Sequence, residues 1–477
     1  MTPFGTSTGS APSAVAMVRI VDGLLLAAFL QGSAAVRLAE MTTPAPPRMQ
    51  LAGRTTPVPF AARPPPDRPG DLPAFPDELR VENLQLPVNL ERAEAPHGWW
   101  GFGSTDPWPT MRGPVLHQFG TSGVIAPKNF TKALAWKWQH PKGRYQVTLG
   151  GGPTVDAAGN VYITASDGIR KISPTGLVLW HHVQADRAIN NAPSLHNGKV
   201  LCVDEQAVAF ALDQASGKVV WERKLAKQNG PDAGYPAACD GVFVASANSN
   251  GQGLTTVLGL DVETGKELWS YKPDLTVWDF APQFPPGERV VFNDRSGGMY
   301  SLKLKTGKVL WKTPNAVDGQ AFGDGGATLG LADDVFVCTN PHLMAGEEGS
   351  KGLLRRLRLG DGKVMWDQKL PQPCNAWPAV GFVGPYKQPS VVVAAGALME
   401  KPNLHGSIMA FDTATGKPQW RFNTEAYTGP FPHFWAKGDT EGLEERQKFD
   451  SPHAICLPAH WSSANIDGNG FVYAGRS

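Results

Sequence analysis

Cysteine is scarce in this chain. Five occur in 477 residues, at 202, 239, 338, 374 and 456, with no C-x-x-C and no C-x-x-C-H. Zinc-ribbon, thioredoxin-type and c-type haem readings therefore have no support, and the odd count leaves at least one thiol free or intermolecular. An excess of one charge is missing too: 44 Lys and Arg stand against 43 Asp and Glu, a net of +1, with the signs interspersed. Nothing here forms the electrostatic footprint expected for nucleic acid or an anionic membrane. Long apolar runs are lacking; the nearest, Gly23 to Leu30, is too short to span a bilayer. No G-x-S-x-G, H-E-x-x-H or P-loop occurs, so the sequence-local signatures of those hydrolases, zinc proteases and nucleotide enzymes are absent.

What the chain has in quantity is Gly (53), Pro (42) and Trp (15), the composition of many short strands joined by tight turns. One stretch recurs. ALDQASGKVVW ends at Trp221, GLDVETGKELW at Trp269, SLKLKTGKVLW at Trp311, RLRLGDGKVMW at Trp366 and AFDTATGKPQW at Trp420, with a weaker copy, KISPTGLVLW, ending at Trp180. Each is an apolar strand, a turn closed by Gly, and a strand carrying Trp four residues later. The glycines (Gly176, Gly217, Gly265, Gly307, Gly362, Gly416) supply a positive φ, and Asp213, Asp261 and Asp412 can bond their own turn amides. Lys303 and Arg358 stand where the other copies have Asp, so those two turns need another tie. A lone hairpin cannot bury an indole, so each ring must dock on the next repeat.

Successive Trp residues lie 41, 48, 42, 55 and 54 apart, the period of a propeller blade with loop insertions. Between them runs a second recurring piece: PTVDAAGNVYITAS (153–166), PSLHNGKVLCVD (193–204), PAACDGVFVAS (236–246) and SSANIDGNGFVYAG (462–475). Together these make four strands per period. The fold expected is all-β, a seven- to eight-bladed β-propeller of four-stranded antiparallel blades with the last blade incomplete. A β-sandwich with chance Trp spacing is the rival arrangement.

The repeat resembles that of pyrroloquinoline-quinone (PQQ) enzymes, whose A-x-D-x-x-T-G-K-x-x-W segment is known as the tryptophan-docking motif. Quinoprotein dehydrogenases carry it, and so do non-enzymatic propellers similar to the outer-membrane assembly lipoprotein BamB. DPWPTMRG (106–113) and LAWKWQ (134–139) also resemble the start of BamB-like chains. The resemblance covers residues 106 to 477 and implies the fold more than an activity. For a PQQ alcohol dehydrogenase it would imply a cofactor between a Trp floor and a disulfide of adjacent Cys, beside Ca²⁺ held by Glu and Asn and a catalytic Asp. This chain has no adjacent Cys pair. No set of Glu, Asn and Asp matches that site residue by residue. The glucose-dehydrogenase type lacks the Cys pair as well, so an oxidoreductase stays open as the alternative.

Three regions are expected along the chain. Residues 1–40 read as a targeting segment, with Arg19 in a short basic region, the apolar core above, and Ser33-Ala34-Ala35 as a cleavage site, although Asp22 interrupts the apolar run. Residues 41–98, with eleven prolines between Pro44 and Pro76, read as a disordered linker. The propeller takes 99–477. Six repeats end at the Trp residues named above and a seventh opens at Ser462. Trp136 or Trp138 offers a docking ring ahead of the first repeat, which would close the circle. The stop in mid-blade gives the expectation of a C-terminally truncated chain.

Residues 421–461 form the longest interruption, and insertions of that length tend to carry function. They hold His433, Trp435, His453, Cys456, His460 and Trp461 around DTEGLEERQKF (439–449), which has the pattern of a short capped helix. His453, Cys456 and His460 are residue types that bind Zn²⁺, in a spacing that matches no established signature. The GNG and DGNG stretches are read as turns, and His181-His182 as a strand end. The function expected is a non-catalytic binding or scaffold module in a secretory or periplasmic space. It would need no cofactor and would hold a protein, peptide or glycan at the propeller face. PQQ with calcium enters only under the dehydrogenase alternative.

Overall fold

The computed structural model describes residues 106–111, 113, 134–141, 149–423 and 463–474, with breaks at 185, 190, 230–233, 316–320, 324, 342–350, 375, 385 and 397–405. It also gives the backbone of Ala14–Val18 (β1), paired antiparallel with Leu26–Leu30 (β2), inside the expected targeting segment. The Pro-rich linker and nearly all of the 421–461 insertion lie outside the described residues. No helix among them is long and apolar enough to cross a membrane.

The rest is a succession of antiparallel sheets, each built from consecutive strands. Blade 1 comprises Leu149–Val155 (β3), Val161–Ala165 (β4), Gly168–Ile172 (β5) and Val178–Val183 (β6). Blade 2 comprises Ser194–His196 (β7), Lys199–Val203 (β8), Val208–Asp213 (β9) and Val219–Lys224 (β10). Blade 3 comprises Ala237–Cys239 (β11), Val242–Ser249 (β12), Leu254–Asp261 (β13) and Glu267–Tyr271 (β14). Blade 4 has three strands, Arg289–Asn293 (β15), Met299–Lys303 (β16) and Val309–Thr313 (β17). Its fourth, innermost strand is reduced to a single bridge, Gln283 to Val291, because Pro282, Pro285 and Pro286 have no N–H to extend a ladder. Blade 5 comprises Ala321–Phe322 (β18), Ala327–Leu329 (β19), Asp334–Pro341 (β20), Leu353–Arg358 (β21) and Val364–Lys369 (β22). Blade 6 comprises Ala379–Val383 (β23), Gln388–Ala395 (β24), Ser407–Asp412 (β25) and Pro418–Asn423 (β26). Two strands of a seventh follow, Asn465–Ile466 (β27) and Val472–Tyr473 (β28). The fold is the β-propeller read from the repeats.

Burial follows from position in the blade. Middle strands have a neighbouring blade on each face, so they are apolar without alternation: Val391, Val392, Val393, Ala394 and Ala395 in β24 are all buried. Outer strands alternate, as β10 and β22 do, because one of their faces meets solvent.

The Trp rings dock as their spacing predicts. Trp180 lies over Gly217 of the next blade, Trp221 over Gly265, Trp269 over Gly307, Trp311 over Gly362 and Trp366 over Gly416. Each of those glycines has φ between +66° and +72°, and a Cβ on any of them would come within 2.9 Å of the ring. Glycine is therefore required twice over, by backbone conformation and by the indole above it. Each indole N–H also donates to a carbonyl three residues before that glycine. The acceptors are Gln214 (3.3 Å), Val262 (2.8 Å), Leu304 (2.6 Å), Leu359 (2.7 Å) and Thr413 (3.1 Å). Asp213, Asp261 and Asp412 accept from the backbone N and the hydroxyl of Ser216, Thr264 and Thr415. Where Asp is replaced, the Lys303 turn is held by backbone bonds to Thr306, Gly307 and Lys308, and the Arg358 turn by the guanidinium on Asp361.

Trp136 rather than Trp138 completes the pattern at the front. Its ring covers Gly176 in the first repeat, so residues 134–140 take the outer position ahead of blade 1. Trp138 instead stacks beside the Arg170 guanidinium, 5.3 Å from its ring centre. Arg170 and His140 both bond Asp167, at 2.7 Å and 3.0 Å, and this nearly buried cluster fastens the run to blade 1. Two hydrogen bonds from Arg170 hold the Asp167 carboxyl well below the usual carboxylate range, against the opposing effect of burial.

Candidate functional site: a filled hub

Each innermost strand begins at the wheel's axis, and the ladder registers make seven positions equivalent there: Gly152, Ala192, Tyr235, Ala281, Gly326, Trp377 and Ser463. Five of them precede proline. An axial strand edge has no ladder neighbour to receive an N–H, so proline is tolerated there. Five of the seven are Gly, Ala or Ser, and the two exceptions explain why.

Tyr235 and Trp377 meet edge to face, with ring centres 5.5 Å apart and planes at 75°. They belong to blades 3 and 6, which are not neighbours, so the contact can form only across the axis. Trp377 also turns the Nε1 edge of its ring against blade 5, where a Cβ on Gly326 would fall 1.8 Å from that nitrogen. Small residues at the other positions leave room for these two rings. Ala281, Ala376, Trp377, Ala464 and Ile466 form one buried apolar cluster, with Tyr235 and Met111 packed against it. Backbone ties run between blades at the same level. The Ala238 N–H donates to Ser194 Oγ (3.1 Å), Ala327 N–H to Asn293 Oδ1 (3.0 Å) and Trp377 N–H to Ser463 Oγ (3.1 Å).

The third large residue of the hub arrives from outside the repeats. Trp108 and Val155 exchange backbone hydrogen bonds at 3.3 and 2.8 Å, the Pro109 carbonyl accepts from Leu195 N–H at 2.8 Å, and Asp106 Oδ1 accepts from Ala157 N–H at 2.9 Å. Residues 106–111 thus lie along the axial edge of β3, bridged to it at Val155 and reaching across to blade 2. It places Met111 on Gly152, where a Cβ would sit 3.0 Å from Met111 Cγ.

A disulfide stiffens the connection that carries Trp377. Cys338 on β20 is bonded to Cys374, with Cα atoms 5.9 Å apart, in the segment leading into blade 6. Cys374 N–H also donates to Asn340 Oδ1 at 2.8 Å, and Gly396 N–H to the Pro373 carbonyl at 2.9 Å. Cys202 and Cys239 are free and buried, and burial pushes both thiols far above their usual range, so neither is a ready nucleophile.

Of the metal-ligand candidates from the sequence, His453, Cys456 and His460 lie outside the described residues, as do His433, Trp435 and Trp461. No group of three or more His, Cys, Asp or Glu among the described residues is placed to hold a metal ion. The Asp-Gly turns use their carboxylates internally. Asp156 accepts from Ala158 N–H, Asn160 N–H and Tyr162 Oη, and Asp467 from Asn469 N–H, Phe471 N–H and Tyr473 Oη. His181 and His182 lie within β6, one step short of its end at Val183, and burial lowers the pKa of both.

Known proteins share parts of this sequence. The family described as outer membrane protein assembly factor BamB matches residues 122–226 and 165–345. The chain is a β-propeller whose repeats are similar to those of that family. Among curated proteins, this propeller is 25% identical over 327 residues to a polyvinylalcohol dehydrogenase of a Pseudomonas species, covering 53% of this chain and 50% of that one. It is also 25% identical over 269 residues to the dehydrogenase subunit of a quinone alcohol dehydrogenase of Gluconobacter oxydans (strain 621H), covering 51% and 33%. The propeller thus spans half the length of the first relative and a third of the second. Among solved structures, BamB of Moraxella catarrhalis aligns with a TM-score of 0.42 at 16% identity, over 56% of this chain and 71% of that one.

PQQ is a flat quinone bearing three carboxylates, and a site for it needs a slot and cationic partners. The described residues at the hub do not fit it. Tyr235, Trp377 and Met111 pack there on an apolar cluster, and the polar groups described beside them, Asn293 and Ser463, are uncharged. The one disulfide among the described residues joins cysteines 36 apart, rather than the adjacent pair that the dehydrogenase resemblance would bring.

Sequence reasoning missed Tyr235, Trp377 and Met111 as a group. The available signal was the residue before each strand-opening proline, small in Gly152, Ala192 and Ala281 and large in Tyr235 and Trp377.

Proposed function

We propose that this propeller is a non-catalytic binding or scaffold module that holds a protein, peptide or glycan partner on the face where its long connections gather. The observation that carries the reading is the filled hub. A funnel floored by Tyr235, Trp377 and Met111 offers a rigid platform and no seat for a flat, polyanionic cofactor. The longest connection that is described throughout, 272–288 between blades 3 and 4, lies on the face where the innermost strands begin. The Cys338–Cys374 disulfide supports a secretory or periplasmic location, since such bonds persist in oxidising compartments.

The two curated dehydrogenases favour a second reading, quinone-dependent oxidation of an alcohol. The readings separate in one experiment. PQQ and Ca²⁺ are added to the purified chain, and bound-quinone absorbance and dye-linked oxidation of alcohols and sugars are followed. The scaffold reading expects no uptake and no oxidation. Turnover dependent on added PQQ would overturn it.

A further inference from the structure

The axial edge of β3 carries an occupant whose chemistry is legible. The segment 106–111 runs antiparallel to β3, gives and takes backbone bonds with Val155, and lends the Pro109 carbonyl to Leu195 N–H of the neighbouring blade. Asp106 adds a side-chain bond to Ala157 N–H. Thr110 Oγ1 donates to the Gly113 carbonyl at 2.9 Å, and Gly113, with φ of +95°, turns the chain back beneath the Trp108 ring. Main-chain bonds hold the segment, as in recognition of an extended peptide at a sheet edge, and the Met111 side chain finds a seat on Gly152. Pro109 and Thr110 are buried, while Trp108, over Gly113 of its own segment, and Met111, over Gly152, are half-buried.

The seat for Met111 is made for a ligand side chain rather than by the blade itself. Among the described residues, Met111 is the one side chain within 4 Å of a Cβ built on Gly152, and Gly152 has no positive-φ requirement of its own. Its lack of a side chain therefore serves the occupant.

We propose that the axial edge of β3, the Leu195 amide and the Gly152 seat form a peptide-binding groove for an extended Trp-Pro-x-Met segment, filled in this chain by residues 106–111 as an internal ligand. Removing the internal ligand's anchor opens the groove to the same peptide supplied in trans. The groove lies at the axis, and its occupancy does not depend on whether the outer loops hold a partner.

The test uses the full chain and a fluorescein-labelled peptide, DPWPTMRG. Trp108→Ala weakens the internal ligand without touching the groove. The peptide is expected to bind Trp108→Ala at least tenfold more tightly than wild type by fluorescence anisotropy, and Trp108→Ala/Gly152→Val should lose that gain. Asp106→Ala, a milder lesion, should fall between wild type and Trp108→Ala, and it decides the matter if Trp108→Ala fails to fold by circular dichroism. If the folded variants bind the peptide no better than wild type, or if Gly152→Val makes no difference, the segment is merely part of the structural hub and the proposal fails.

Discussion

The two faces of the wheel share the same strands and differ in what joins them. On one face lie the first and last turns of each blade, and these connections run two to five residues, from 197–198 in blade 2 to 467–471 in blade 7. Asp156 and Asp467 hold two of the first turns by bonding the turn's own amides, and Asp213, Asp261 and Asp412 hold three of the last turns in the same way. On the other face, the connections range from 166–167 to 424–464. There, ties are long-range: the Cys338–Cys374 bond, the Arg170–Asp167–His140 cluster and the across-axis contact of Tyr235 with Trp377. One face is fixed by local turn chemistry that repeats, and so can vary little. The other is fixed at a few distant points, and the chain between them is free to be adapted to a partner.

Substitutions can break this contrast in graded steps. Trp311→Ala removes a docking ring that is 8% exposed and bonded to Leu359. It should cost about 4 kcal/mol in urea unfolding, and the half-buried Trp221→Ala roughly half of that. Asp167→Asn takes the carboxylate from a nearly buried Arg170 and should cost about 3 kcal/mol. Its pH signature is distinct. The Asp167 pKa is lowered in the folded state, so its contribution is fully present above the ordinary value of 3.8 and is lost as pH falls through the folded value. Acid unfolding of Asp167→Asn should therefore lack that component, whereas wild type should show it.

Cys374→Ser, made with Cys338→Ser, should cost about 3 kcal/mol and loosen the connection that carries Trp377. Near-UV circular dichroism would report the change at the hub. Wild type extracted without reductant should leave both cysteines protected from alkylation, and labelling of either before reduction would contradict the oxidising-compartment reading. Tyr162→Phe, on the short-turn face, removes one bond to Asp156 and should cost about 1 kcal/mol. It should leave the hub spectrum unchanged.

The short-turn face was the more legible of the two. Its turns are local, so ATGK and DGNG in one repeat announce the same backbone in the next, and the Trp-on-Gly docking follows from a spacing of four. Even the exceptions could be foreseen, since Lys303 and Arg358 had to find other ties and did. The hub was not legible in this way. The smallness of Gly326 has meaning only beside Trp377, and that of Gly152 only beside Met111, partners that the fold brings together from other blades or from ahead of the repeats. The same holds for the Cys338–Cys374 pairing, which depends on where a blade-to-blade segment passes over β20. Trp136 and Trp138 were equal candidates until Gly176 selected one of them.

The filled hub is the claim on which the functional reading stands, and a double-mutant cycle on Tyr235 and Trp377 tests it most directly. Tyr235→Ala, Trp377→Ala and the double variant are unfolded in urea, with Tyr235 and Trp311 as the uncoupled control pair. An aromatic contact across the axis predicts a coupling of about 1 kcal/mol for Tyr235 with Trp377 and none for the control. Strictly additive effects for Tyr235 and Trp377 would mean that the axis is open and that the account of the hub is wrong.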